Sequence, residues 1–396
     1  MRIVSGGGDS LDGDPRSQAF LAVCYLSVVA IAVMHYRQIL FVVRRNPAIF
    51  ALLALACLSP FWAETPDLVA RRAIAAAGTT LFGAVVAIRL TLAEQLKLFR
   101  WALRIAAGLS VALLVVAPHA AISTGADGSV LRGIFLHKNH LGATMALGAL
   151  MEWCYSETTR AANLIRRLSL FLYLVLLVLS NSMTSVVAFA ATLIVLYAFR
   201  LLHGRLSLPL PVVVMLILLG AVITMGIQSS VTELLGRSSD LTGRTELWSF
   251  TWSMIAKRPL FGYGLSGFWM GASEESVSLQ TQLGWTPVYS HNGYLEILLS
   301  LGFVGMMLFL IALGTGIRRV LSRARRNASI QDMWPLAFFS FFLVHNMAEC
   351  SILMQNSLEW SLCLTTVISA DATLMGTLSS TAEEPEGSSL PVTEYA

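Results

Sequence analysis

Charge is scarce in this chain of 396 residues: Asp, Glu, Lys and Arg make up 13% of it, while 56% is hydrophobic. An ordinary soluble domain carries about 25% charged residues, so a soluble globular enzyme is excluded. Cysteine is scarce too. Cys24, Cys57, Cys154, Cys350 and Cys363 form no C-x-x-C pair and no metal-ligand spacing. This excludes a disulfide framework and a cysteine-based zinc centre, and all five are expected to be small buried hydrophobes. The first residues, with Asp9, Asp12 and Asp14 among glycines, lack the basic region and small-residue cleavage site of a secretory signal, so insertion is expected to rely on the spans themselves. The formal charge of +4 would suggest nucleic acid only if it were clustered on one face. The basic residues are scattered between apolar runs, which argues against nucleic acid.

Long apolar runs are what the chain does have. A hydrocarbon core about 30 Å thick takes roughly 20 helical residues to cross. The runs predict an all-α polytopic integral membrane protein with eleven helices, within a range of ten to twelve, near 18–36, 47–63, 73–91, 101–119, 139–156, 165–181, 183–202, 208–228, 293–317, 334–353 and 356–377. Arginine orients them, because short cytoplasmic loops are enriched in Lys and Arg. Seventeen of the 27 basic residues fall in alternate connections, including Arg37, Arg44 and Arg45, Arg89 to Arg104, Arg160 to Arg167, Arg200 and Arg205, and Arg318 to Arg326. The predicted organisation is a short polar N-terminus (1–17), spans one to eight (18–228), an outer loop with an amphipathic interface helix (229–292), spans nine to eleven (293–377) and an acidic tail (378–396). The tail, with Glu383, Glu384, Glu386 and Glu394, is too poor in apolar residues to fold alone and is expected to be disordered in the cytoplasm.

A polar excursion of the size of 229–292 between spans is where function is expected. Trp248, Trp252 and Ile255 recur there at helical spacing until Pro259 ends the pattern, which predicts a helix lying in the interface with its indole N–H groups wet. Arg244 lies one turn before Trp248. It is either an interfacial arginine reaching to headgroups or an anion clamp, since guanidinium stays charged and forks onto phosphate oxygens. Gly262 to Gly267 matches G-x-G-x-x-G formally, but no βαβ unit surrounds it, so a dinucleotide site is rejected and the glycines are assigned to tight turns near a ligand or the membrane surface. Tyr289, His291, Asn292, Tyr294 and Glu296 stand at the mouth of the next span. An unperturbed imidazole is suited to take a hydroxyl proton at neutral pH, although a lone histidine is as often a satisfied interfacial side chain.

The loop near 120–138 and the residues just after it offer Arg132, His137, Lys138, Asn139 and His140. His137-x-x-His140 puts two imidazoles on one helical face, yet no carboxylate or cysteine completes a metal site there, and no metal is expected. Cations beside the outer leaflet suit phosphate or glycan acid groups, with simple anchoring as the alternative. Glu349, at a helix end where an unpaired carboxylate is costly, calls for a cation such as Arg244 or Lys138.

These residues resemble a known family. Gly243-Arg244-Thr245-Glu246-Leu247-Trp248, Lys257-Arg258-Pro259-Leu260-Phe261-Gly262-Tyr263-Gly264, and His291-Asn292-Gly293-Tyr294-Leu295-Glu296 with Gly302 and Gly305 are similar to motifs of the O-antigen ligase and polymerase superfamily. Gly133 to Gly142, through His137-Lys138-Asn139-His140, and Glu349-Cys350-Ser351 with Asn356 and Trp360 look most like its exopolysaccharide polymerase branch. The resemblance implies a GT-C-like integral membrane glycosyltransferase that needs no metal or other cofactor. It would act at the periplasmic face of the bacterial inner membrane on undecaprenyl-pyrophosphate-linked glycan donors and acceptors, with other polysaccharide-assembly proteins as further partners. Carried over by position, Arg244 would hold the donor pyrophosphate and His291 would activate the acceptor hydroxyl. Lys138, Arg132, His137, Lys257, Arg258, Asn292, Tyr294 and Glu349 are the expected pyrophosphate- or substrate-binding residues. Relatives often carry Arg or Lys between Ser and Thr where this chain has Met183, so Lys138 or Arg132 would have to supply a second cation.

The implied activity is a polymerase that joins lipid-linked repeat units by inverting transfer. One alternative is an O-antigen ligase that moves glycan onto lipid A-core or another acceptor. Another, of a different class, is a flippase or transporter for lipid-linked sugars, but transporters place ionisable groups at mid-membrane, whereas the polar candidates here gather on one face.

Overall fold

In the computed structural model, the described residues are 15–125, 128–202, 242–270, 274–283, 286–326 and 329–371. The span expected at 208–228, the first part of the outer loop and the acidic tail lie outside them. Helices α1 (Pro15–Met34), α2 (Tyr36–Arg45), α3 (Pro47–Leu58), α4 (Pro66–Arg89), α5 (Leu92–Val116) and the one-turn α6 (Pro118–Ala121) come first, and the antiparallel strands β1 (Ile122–Gly125) and β2 (Gly128–Leu131) follow. The chain continues through α7 (Lys138–Trp153), α8 (Arg160–Leu179) and α9 (Met183–Leu202), then α10 (Thr242–Lys257), α11 (Glu274–Leu283), α12 (Gly293–Arg326), α13 (Trp334–His345) and α14 (Leu358–Ser369).

Among the described residues, α4, α5, α8, α9 and α12 are long and apolar enough to cross a membrane, and α1 with α2 makes a sixth if that pair, bent by 90°, is one span. Large apolar side chains stand exposed along them, such as Phe20, Val116, Phe171 and Met307. Water would not tolerate so broad a belt, and lipid accounts for it. The protein is a helical membrane protein.

The structure departs from the predicted spans in several places. Residues 92–100, expected in a loop, are helical, because Thr91 and Glu94 form a reciprocal capping box that starts α5 immediately after α4. The paired strands β1 and β2 are a small exception to the expected all-helical chain. Helix α13 ends at His345 and not near 353, and twelve residues rise only about 18 Å. The segment 346–357 that follows is non-helical, lies outside the candidate spans, and is buried in protein at Asn346, Glu349, Ser351 and Leu353. The cysteines also differ from expectation, since Cys57 is exposed and only Cys154 and Cys363 are fully buried.

Polar side chains collect at two ends of the bundle. At one end, Glu152 on α7 receives Arg100 at 2.6 Å and Arg104 at 2.7 Å, and Asp371 receives Arg45 at 3.0 Å and Arg319 at 3.1 Å. Arg100 and Arg104 are thus helical residues in a buried ion-pair network, not loop charges. Gln95 donates to Ser369 at 2.8 Å, which ties the start of α5 to the end of α14. The opposite end holds Glu349 and the residues described below.

Helix α12 is broken at Gly302, whose φ is 66° and ψ is −165°. The break is filled by the segment after α10. Phe303 and Val304 donate N–H to the carbonyls of Pro259 and Leu260 at 2.7 and 3.2 Å, while Tyr263 and Gly264 donate to Leu299 and Ser300 at 2.9 Å each. A Cβ on Gly302 would stand 2.2 Å from the Leu260 carbonyl oxygen, so only glycine fits. Gly262 therefore serves approach to a helix backbone, and Gly264 packs against the Ala63 and Val69 side chains, in place of a ligand or the membrane surface. This exchange locks α10 to the first turns of α12.

Candidate active site around Glu349

Three separate segments converge on the Glu349 carboxylate, and a backbone N–H holds the carbonyls beside it. Asn139 in the first turn of α7 donates its side-chain N–H to Oε1. Arg244 in the first turn of α10 donates from Nη2 to the same oxygen at 3.3 Å and from Nη1 to the Ala348 carbonyl at 3.0 Å. His291, just before α12, places Nδ1 3.7 Å from Oε2. The Gly293 N–H, the first of α12, donates to the Asn346 and Glu349 carbonyls at 2.8 and 2.9 Å.

The local sequence explains each placement. His137 begins α7 by accepting the Asn139 N–H on Nδ1 at 3.2 Å, which fixes the helix start that aims Asn139. Asn292 caps α12, its Oδ1 accepting from the N–H groups of Tyr294 and Leu295 at 3.0 and 3.2 Å. The turn before it holds His291 at a φ of 51°, a conformation that costs a non-glycine residue energy and persists only when its surroundings impose it. Glu296 helps impose it. Its buried carboxylate accepts from the Ser290 N–H at 2.9 Å and the Trp269 indole at 3.0 and 3.1 Å. Tyr289 packs beside His291 with ring centroids 4.4 Å apart, and the Tyr294 hydroxyl donates to the Leu343 carbonyl at 2.9 Å.

Electrostatics here favour negative charge. The first turns of α7, α10 and α12 all meet Glu349, and each helix N-terminus carries the equivalent of roughly half a positive charge. Burial works against an ionised Glu349, but His291, Arg244 and His345 outweigh it and hold the carboxyl well below the usual carboxylate range. Arg244 supplies the cation that the sequence required of Glu349. Beside this cluster, His345 Nδ1 faces Glu359 Oε2 at 3.1 Å.

The remaining sequence-predicted residues lie at varying removes. Lys138 opens α7 next to Asn139. Arg132 is held by its Nε donating to the Ala120 carbonyl at 3.1 Å, beside the hairpin. Lys257 and Arg258 are not brought to Glu349. Thirteen residues of helix, or about 20 Å, separate Lys257 from Arg244, and the two cations pair with Glu275 at 3.2 Å and Glu64 at 2.6 Å. The Trp248 indole is not left wet but donates to the Ser290 carbonyl at 2.9 Å. Trp269, Asn346 and His345 are site neighbours that sequence reasoning did not select, and Asn139 is named in the middle loop but carries no role assigned from the sequence. Asn139 was legible, since it sits inside the His137-Lys138-Asn139-His140 motif. Among the described residues, no three His, Cys, Asp or Glu side chains are grouped so as to hold a metal ion.

An arginine, a histidine and a buried carboxylate are thus gathered among helix N-termini in a helical membrane protein. Residues 168–310 match the family model Wzy_C, O-antigen ligase. The matched stretch, less than half of the chain, is similar to the O-antigen ligase/polymerase superfamily, whose members are glycosyltransferase-like enzymes. The matched region runs from α8 into α12 and contains both Arg244 and His291. A comparison with curated proteins finds no match.

Proposed function

We propose that the protein is a polysaccharide polymerase that joins undecaprenyl-pyrophosphate-linked repeat units at the periplasmic face of the inner membrane, by inverting transfer without a metal. The observation that carries this reading is the meeting of Arg244, His291, Asn139 and Glu349 in one buried cluster. In the proposed reaction the acceptor sugar hydroxyl gives its proton to His291. Its oxygen then bonds to the anomeric carbon as the bond from that carbon to the lipid pyrophosphate breaks. With Nδ1 turned toward the Glu349 carboxylate, Nε2 is the nitrogen that takes the proton, and the carboxylate stabilises the imidazolium that results. Arg244 and the helix N-termini offset the charge that develops on the departing pyrophosphate. Lys138 stands at the start of α7 as the second cation for that group.

Polymerase is preferred to ligase because Asn139 and Glu349, which touch in this cluster, both lie in motifs that resemble the exopolysaccharide polymerase branch. The family model's description favours the ligase alternative, which shares the same donor chemistry. Cells lacking the protein separate the two. Single repeat units accumulating on the lipid carrier support polymerase, and full-length chains on the carrier support ligase.

A further inference from the structure

At the end of the bundle opposite Glu349, a cavity of about 350 Å³ is lined by Arg45, Arg318, Arg319 and Arg326, with Ser322 and Asp371. Four guanidinium groups thus face one carboxylate. Asp371 is committed to Arg45 and Arg319, whereas Arg318 and Arg326 are exposed. The negative C-terminal end of α12 offsets about half a charge and leaves a strong positive excess. Orientation alone requires basic residues at this end but does not require them to line a concavity.

The surface leading to the cavity indicates what enters it. On α12, Met307 and Ile311 are 56% and 52% exposed. One, two and three turns further along the same helical face come Thr315, Arg318 and Ser322. An apolar track therefore runs directly into a basic, hydroxyl-bearing cavity, a shape that matches an amphiphile better than a free ion. Basic pockets between spans suit phosphate headgroups for the same electrostatic reason.

We propose that this cavity binds the phosphate headgroup of an anionic phospholipid whose acyl chains lie along the Met307 and Ile311 face of α12. On the topology proposed above it is a lipid of the cytoplasmic leaflet. The inference rests on membrane embedding and not on the transfer reaction.

The test is native mass spectrometry of the full chain in neutral detergent, offered phosphatidylglycerol, phosphatidylcholine or inorganic phosphate. Phosphatidylglycerol should be retained in preference to both others. The double variant Arg318→Gln/Arg326→Gln should weaken its retention by about tenfold or more. The control Arg160→Gln/Arg167→Gln, which removes the same charge at the same end but outside the cavity, should not. Ile311→Ser should weaken lipid retention without affecting any binding of inorganic phosphate. Equal loss in the two double variants would overturn the proposal in favour of diffuse charge. Displacement of the lipid by an equal concentration of inorganic phosphate would overturn it in favour of a free-anion site.

Discussion

At the Asp371 end of the bundle, arginines are many, and several are neutralised by carboxylates on neighbouring helices. At the Glu349 end one arginine lies buried among three helix N-termini, with a histidine beside the same carboxylate. The residue type is the same, but its surroundings differ. Arg100 and Arg104 spend their hydrogen-bonding capacity on Glu152, whose side chain is fully buried, and this closes a structural network. Arg244 also pairs with a carboxylate, Glu349, and with the Ala348 carbonyl, but it does so where helix ends already favour an anion and a histidine stands beside the same carboxylate. The comparison teaches that charge count is a poor guide to function in a membrane protein, and that the placement of charge relative to helix termini is a better one.

The largest expected effect is on the structural end. Glu152→Ala leaves Arg104 without its carboxylate and Arg100 with Glu157 alone, and should cost about 3–5 kcal/mol of stability. Thermal unfolding in detergent checks this, while transfer activity per folded molecule should hold. An activity loss greater than the loss of folded protein would break the distinction between the ends.

The next effect falls on the α12 break. Gly302→Ala combines a positive φ with a Cβ 2.2 Å from a backbone oxygen and should cost about 1–3 kcal/mol. Gly314→Ala, further along the same helix, meets nothing within 4 Å. It should leave the unfolding midpoint unchanged or raise it slightly.

A pH effect follows from Glu349. Its carboxyl pKa is lower in the folded protein than in the unfolded chain, so the native state binds fewer protons. The stability this group contributes is complete above the unfolded carboxyl pKa, about 4.3, and is lost as pH falls through the lower folded value. Unfolding midpoints measured on descending pH should drop in that range for the wild type, and the drop should be smaller for Glu349→Gln.

The smallest effect is expected from Lys257→Ala. Its partner Glu275 is exposed and the pair is far from Glu349, so transfer should change by no more than about twofold.

Much of this was legible in the sequence. Alternating arginines separated the two ends, Pro259 marked the end of α10, and Glu349 advertised its need for a cation. The helix limits were less legible where tertiary contacts set them. Lys97, Arg100 and Arg104 read as loop charge because nothing local reveals that Glu152, some 50 positions later, neutralises two of them. Residues 346–353 read as helix because they are apolar, and the hydrogen bonds that replace helical ones there come from Asn346, Gly293 and Arg244. The 259–264 segment read as a turn near a ligand, since pairing with a broken helix leaves no periodic signature.

The central claim is that Arg244 and His291 act on a lipid-linked glycan, and purified full chain in detergent tests it most directly. Given lipid-linked repeat units and no other protein, the wild type should produce longer glycans. Arg244→Ala and His291→Ala, folded and purified alike, should be slower by about 10² or more. Wild-type rates in both variants, or a wild type that never lengthens the glycan, would contradict the account.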